Sequence, residues 1–303
     1  MVEYRLCYGN CIFTLYNNND RHINTISNSK EVRQVKRFLI IVLAFVVAIT
    51  TIFPFLWMIS ASFMNSGEAS IYPPKFLPDE INFSHYSSLF NRMNVGIYFI
   101  NSLIISLGVT FFSLLFNSMA GYAFAKIRFK FKDSIFRFLL SSMVIPGQVT
   151  MLPVFLLLKN MGLINTYFAI IIPGMASVFG IFLIRQYCYS IPDSFIEAAK
   201  IDGANDFQIY YKIILPLCKP ILVTLGILTF LGTWNDFMWP LIVMTDSSMY
   251  TLPVALANLM GEHVQDTELM MAGSAITILP VFILFIFLQK YYISGIMLGG
   301  VKE

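Results

Sequence analysis

Apolar residues in this chain come in long charge-free runs separated by short polar connectors. Residues 38–67 contain no Asp, Glu, Lys or Arg, and neither do residues 93–125, 138–158, 160–184 and 269–289. A sixth run, 220–245, is interrupted only by Asp236. A helix rises about 1.5 Å per residue and a hydrocarbon core is about 30 Å thick, so each run is long enough to cross a bilayer. The pattern predicts six helices, near 38–60, 98–124, 137–158, 164–186, 220–243 and 270–289. The segments 1–37 and 293–303 then flank a membrane domain of 38–292.

Composition narrows the class. Hydrophobic residues make up 57% of the 303 residues, aromatics 16% and charged residues only 12%. A globular protein carries about 25% charge, and a disordered chain is poor in apolar residues. A soluble enzyme and a disordered protein are both excluded, which leaves an all-α polytopic membrane protein embedded in a lipid bilayer. A net charge of +3 is too small to suggest nucleic acid. Cys7, Cys11, Cys188 and Cys218 lack zinc or redox spacing and read as unrelated thiols.

The placement of Lys and Arg sets the orientation. Six lie before the first predicted helix, five between the second and third, four between the fourth and fifth, and two after the sixth. The opposite side holds only Lys75, Arg92 and Lys159. Basic residues concentrate on the cytoplasmic side, so both termini are expected in the cytoplasm. Residues 1–37 read as a partly disordered cytoplasmic segment and 293–303 as a cytoplasmic tail. The external loops 63–95 and 246–269 are rich in acid: Glu68, Asp79, Glu80, Asp246, Glu262, Asp266 and Glu268. They read either as solvated connectors or as surfaces for an external partner.

The cytoplasmic loop 191–220, IPDSFIEAAKIDGANDFQIYYKIILPLCKP, is the most specific segment. Ser194 with Glu197 and Asn205 with Gln208 both have the spacing of a capping box. Gly203 is a natural left-handed helix stop. Phe207, Tyr210, Tyr211 and Ile214 recur at i, i+3, i+4 and i+7, which predicts one apolar helix face. Two short helices meeting at Gly203, with an aromatic face, imply a surface that receives them.

Glu197-Ala198-Ala199, then Gly203, then Ile213 and Leu215-Pro216 resemble the EAA loop of ABC importer permeases, with every spacing matched. Asp202-Gly203-Ala204 is similar to the carbohydrate-uptake, maltose-permease-like branch. The resemblance covers roughly residues 50–303. It includes Asn101-Ser102-Leu103, Ala120–Ala125, Trp234-Asn235-Asp236-Phe237 and Trp239-Pro240-Leu241. Met64 stands where a Lys is common, and Glu303 replaces a usual final Gly.

This resemblance implies a type I importer permease in a bacterial inner membrane, with a core of about 98–292 and cytoplasmic coupling helices. It implies that Glu197, Ala198, Ala199, Asp202, Gly203, Phe207, Tyr210, Tyr211, Leu215 and Pro216 form the coupling to ABC ATPase subunits. Glu197 would contact the ATPase or only cap its own helix, and the aromatic residues would meet the partner or pack on this chain. Further implied partners are a second, similar permease and an extracytoplasmic solute-binding protein. ATP and Mg would be bound by the ATPase, with no cofactor on this chain.

Asp236 is the only formal charge inside the six apolar runs and belongs against the bundle interior or a water-filled path. It, Asn235, Phe237 and Gln148 are candidates for a sugar path, with Trp234 and Trp239 able to stack on sugar rings. Interhelical bonding or interfacial anchoring is the structural alternative. The sequence contains no G-x-x-x-x-G-K-[ST], H-E-x-x-H or G-x-S-x-G motif, so catalysis by this chain is not expected. The expected function is ATP-driven import of a sugar or oligosaccharide by alternating access. A similar permease for another solute such as glycerol 3-phosphate, or an ion-coupled secondary transporter, are the alternatives.

Overall fold

The computed structural model describes residues 34–91, 94–262 and 266–300, with side chains described except in 259–262 and 290–300. Residues 1–33 and 301–303, which include Cys7, Cys11, His22 and most of the N-terminal segment, lie outside these, as do Arg92 and His263. The chain divides into two units, Met1–Met58 and Ile59–Glu303. Residues 34–58 of helix α1, Gln34–Ala61, make up the described part of the first.

The larger unit is helical, with no strand among its described residues. Its helices are α2 (Ser84–Asn91), α3 (Val95–Lys126), α4 (Lys132–Ser142), α5 (Gly147–Asn160), α6 (Phe168–Gly174) and α7 (Val178–Tyr189). They continue with α8 (Ser194–Ile201), α9 (Asp206–Ile209), α10 (Leu215–Leu217), α11 (Lys219–Trp234), α12 (Met238–Val243), α13 (Leu252–Glu262) and α14 (Thr267–Gly300).

Four helical segments are long and apolar enough to span alone: Gln34–Ala61, Val95–Lys126, Phe168–Tyr189 and Thr267–Gln289. Two bent pairs raise the number to six. The third predicted helix is in fact α4 and α5, meeting at 102°. Pro146 precedes α5 in an extended conformation, with φ −59° and ψ 135°, which ends the continuous helix. Pro153 lies inside α5 without breaking it. The fifth predicted helix also divides. It stops at Trp234, and Asn235–Phe237 separate it from α12. At its other end it turns 78° from the segment Asp206–Leu217, with Pro220 in its first turn.

Helix α3 is central because all three buried clusters draw on it. Tyr122 and Ala125 pack with Ile184, Ile196, Ile209, Tyr210, Ile214 and Ile221. Val95 packs with Phe230, Trp234 and Ile276. Ile105 and Val109 pack with Ile170, Val243 and Met244. Its fit against α7 depends on Gly121, where an added Cβ would lie 2.6 Å from Ile184 Cβ and Cγ2.

In the loops predicted to be external, part of the expected surface acidity is internal. Glu68 accepts from the backbone N–H groups of Asn65 (3.0 Å) and Asp79 (2.9 Å). Fully buried Glu268 accepts from Ala69 N at 2.7 Å. Asp266 lies 3.7 Å from His85. These carboxylates order the loop 62–82 against the start of α14, so it is neither a simple solvated connector nor a uniformly acidic surface. Carboxylates do this well because charged acceptors make the stronger hydrogen bonds.

Candidate functional site: the α8–α9 elbow and a cavity at Asp236

The elbow between α8 and α9 is built locally. Asp202 ends α8, and Gly203 takes φ +79°, a conformation that costs other residues strain. Asn205 opens α9: its side chain accepts from Gln208 N (2.8 Å), and Gln208 Oε1 accepts from Asn205 N (2.9 Å). The expected second capping box at Ser194 does not form. Asp193 occupies the N-cap position with αR backbone and no side-chain cap bond, because Pro192 and Asp193 already enter the turn that leads into α8. Glu197 is therefore not engaged as a cap, and its carboxylate stands on the exposed face.

The predicted single apolar face also divides. Residues Tyr210–Ile214 form a π-helical stretch. Tyr210 and Ile214 turn into the core, whereas Phe207 and Tyr211 stay 65% and 56% exposed. The wider π turn separates the four positions into two pairs.

Of the other predicted coupling residues, Ala198, Asp202, Gly203 and Pro216 are exposed, Leu215 is half-buried and Ala199 is buried. Two residues outside that set, Phe195 and Ile201, are 50% and 86% exposed. Ile201 has a sequence signal in retrospect: a large apolar residue at a helix end, next to Asp202 and Gly203. The elbow thus exposes Phe195, Ile201, Phe207 and Tyr211 as well as Glu197.

Anchors behind this surface are polar. Lys126 Nζ, at the end of α3, donates to Ile191 O (2.7 Å) and Asp193 Oδ1 (2.6 Å). That hydrogen bond, together with the Lys126 charge, holds the Asp193 carboxyl below its ordinary range. Tyr210 Oη lies 2.8 Å from Ser118 Oγ. Arg185 packs over the Phe136 and Tyr189 rings, 3.8 and 4.7 Å from their centroids, and ties α4 to α7. Cys188 and Cys218, 30 residues apart, bring their sulfurs to 3.6 Å in the buried core. They are partners rather than unrelated thiols, since α7 ends and α11 starts at one place.

A cavity of about 340 Å³ lies deeper, among α3, α5, α6, α11 and α12. Asp236, Thr150, Thr233 and Trp239 supply its polar and aromatic lining. Asp236 also serves α12, accepting from Trp239 N at 3.4 Å. Trp239 Nε1 donates to Ala169 O (3.1 Å), which fixes the ring.

The other predicted path residues are not brought together there. Asn235 bonds back to Leu231 O. Phe237 is exposed and, like Gln148, does not line the cavity. Trp234 is 1% exposed, stacks on Phe230 and donates to Thr277 O. It is a core residue, unavailable for stacking on a sugar.

Broken apolar helices around a polar cavity, with an amphipathic elbow at one end, define a membrane transport subunit. Residues 117–297 match the family described as binding-protein-dependent transport system inner membrane component, and the chain belongs to that family. It is 39% identical to the arabinooligosaccharides transport system permease protein AraQ of Halalkalibacterium halodurans, over 84% of this chain and 93% of that one. It is 33% identical to the melibiose/raffinose/stachyose import permease protein MelC of Bacillus subtilis, covering 87% and 96%. Among solved structures, a bacterial ABC transporter involved in the import of the acidic polysaccharide alginate matches with a TM-score of 0.76. That match has 27% identity and covers 86% of this chain and 97% of the other.

Proposed function

We propose that this chain is the permease subunit of an ATP-driven importer for a sugar or oligosaccharide. Both termini face the cytoplasm, a second permease completes the pathway, and an external solute-binding protein delivers the solute. ATP and Mg are handled by separate ATPase subunits, and this chain contributes no ATPase site of its own. The substrate reading is supported by the named substrates of its relatives, which include arabinooligosaccharides and melibiose.

The observation that carries the coupling role is the elbow. Phe207 and Tyr211 are exposed, as is Glu197, on a loop whose entry is fixed from behind by Lys126. Such an aromatic patch is costly in water and suits a groove in a protein partner. Glu197, Ala198, Asp202, Gly203, Phe207, Tyr211, Leu215 and Pro216, with Phe195 and Ile201, seat in the ATPase. Ala199 and Tyr210 support them from inside. Closure of the ATPases on ATP moves the elbow and turns the path from one side of the membrane to the other. Asp236 with Trp239, Thr150 and Thr233 offers the sugar a carboxylate acceptor and an aromatic face.

Purification of the tagged protein from mild detergent tests this. An ATPase subunit and a second permease co-purify with the wild type, and Phe207→Ala with Tyr211→Ala loses the ATPase. Recovery of the chain alone, active in vesicles without ATP, overturns it.

A further inference from the structure

We infer that the buried Tyr210–Ser118 hydrogen bond is a joint that, alongside the Lys126–Asp193 contact at the entry to α8, passes movement of the elbow into α3, and through α3 to the external segment around Ser248–Leu252. This rests on the elbow being the ATPase seat.

Tyr210 and Ser118 are 6% and 2% exposed and come from segments 92 positions apart. The direction of their bond follows from the remaining contacts. The Ser118 hydroxyl hydrogen is already committed to the carbonyls of its own helix, Leu114 O at 2.5 Å and Leu115 O at 3.0 Å. Ser118 Oγ therefore accepts, and the Tyr210 phenol donates. The Tyr210 ring is also seated against Tyr122 of α3, with centroids 5.8 Å apart, and against exposed Phe207 at 6.2 Å. Phe207, Tyr210 and α3 thus form a continuous contact from the partner-facing surface to the central helix. Tyr210 opens the π-helical stretch, a rare geometry that concentrates at functional positions. It is what turns Tyr210 inward while Phe207 remains outward.

The far end of α3 is bonded as firmly. Asn101 Nδ2 donates to Ser248 O (2.9 Å) and Tyr250 O (3.0 Å), and Asn101 Oδ1 accepts from the Tyr167 hydroxyl (2.7 Å). Ser102 Oγ accepts from Leu252 N at 2.7 Å. Ser118 and Asn101 are separated by about 26 Å along one uninterrupted helix at 1.5 Å per residue. A rigid rod held at both ends transmits displacement. A joint made by packing alone would permit sliding.

The test uses the assembled complex of both permeases, ATPase and binding protein in lipid vesicles. Tyr210→Phe keeps the ring and removes only the donor, and Ser118→Ala removes the acceptor. Each is expected to leave assembly intact and lower the solute moved per ATP hydrolysed by about fivefold. The double variant should be no worse than the worse single, since both remove one bond. An unchanged transport-to-ATP ratio in assembled Tyr210→Phe overturns the joint. So do losses that add in the double variant and follow a falling melting temperature. If wild-type protein assembles with no ATPase, the reading of the elbow fails first and this joint with it.

Discussion

Lys126, the last residue of α3, reaches across to the elbow and bonds Asp193 at 2.6 Å, with its side chain only 7% exposed. The same ammonium satisfies the Ile191 carbonyl, so one cation fixes the entry to α8. Replacing it by Met is expected to destabilise this end by about 1–2 kcal/mol, because the Ile191 acceptor loses its donor. Thermal melts in detergent, together with proteolysis after residue 190, check this.

The Asp193 carboxyl is held low, first by that hydrogen bond and then by the Lys126 charge. A carboxyl depressed in the folded state stabilises it fully above the ordinary carboxylate range near pH 4. The contribution is lost as pH falls through the lowered value. Melting temperature between pH 6 and pH 3 should therefore fall less steeply in Asp193→Asn than in the wild type.

Gly203 is left-handed, and an added Cβ meets nothing within 4 Å. The cost of substitution there is backbone strain alone. Gly203→Asn, which tolerates this conformation, should retain most ATPase binding, and Gly203→Val should lose about 1–2 kcal/mol of elbow stability. Equal behaviour of the two would place the role of Gly203 elsewhere.

At Gly121 the constraint is space. The Gly121→Ala methyl would meet Ile184 Cβ at 2.6 Å and Arg185 N at 3.1 Å, forcing α3 from α7 at a cost of about 1–3 kcal/mol. Ile184→Ala should not fully rescue it, because it removes the Cγ2 contact but leaves Cβ at 2.6 Å and Arg185 N at 3.1 Å. The yield of monodisperse protein reports the outcome.

These contacts mark how far the sequence could be read. The charge-free runs and the distribution of Lys and Arg located the membrane segments, because hydrocarbon tolerates so few other patterns. The break at 143–146 was not legible. Pro146 and Pro153 look alike in sequence, and only packing decides which one ends a helix. Likewise Ser194 and Asn205 present the same capping-box spacing, yet only Asn205 adopts the extended backbone that a cap needs. The elbow was identifiable through its motif. Which aromatics face outward depended on a π turn that no side-chain pattern announces. The Cys188–Cys218 approach is purely tertiary.

Asp236 both accepts from Trp239 N and lines the cavity, and substitution can separate the two. Asp236→Asn keeps the Trp239 N–H acceptor and removes the charge, so it should fold normally and transport at least tenfold less well. Asp236→Ala removes the cap as well and should also cost about 1 kcal/mol at α12. Wild-type uptake by Asp236→Asn would assign this residue to structure alone.

The most direct measurement of the central claim is uptake of labelled melibiose and arabinooligosaccharide into vesicles holding the purified complex, with binding protein outside and nucleotide inside. The account predicts uptake of one or more of these sugars that requires ATP and disappears in the Phe207→Ala, Tyr211→Ala variant while this chain stays folded. Uptake by this chain alone, driven by an ion gradient and indifferent to ATP and to those two residues, would contradict it.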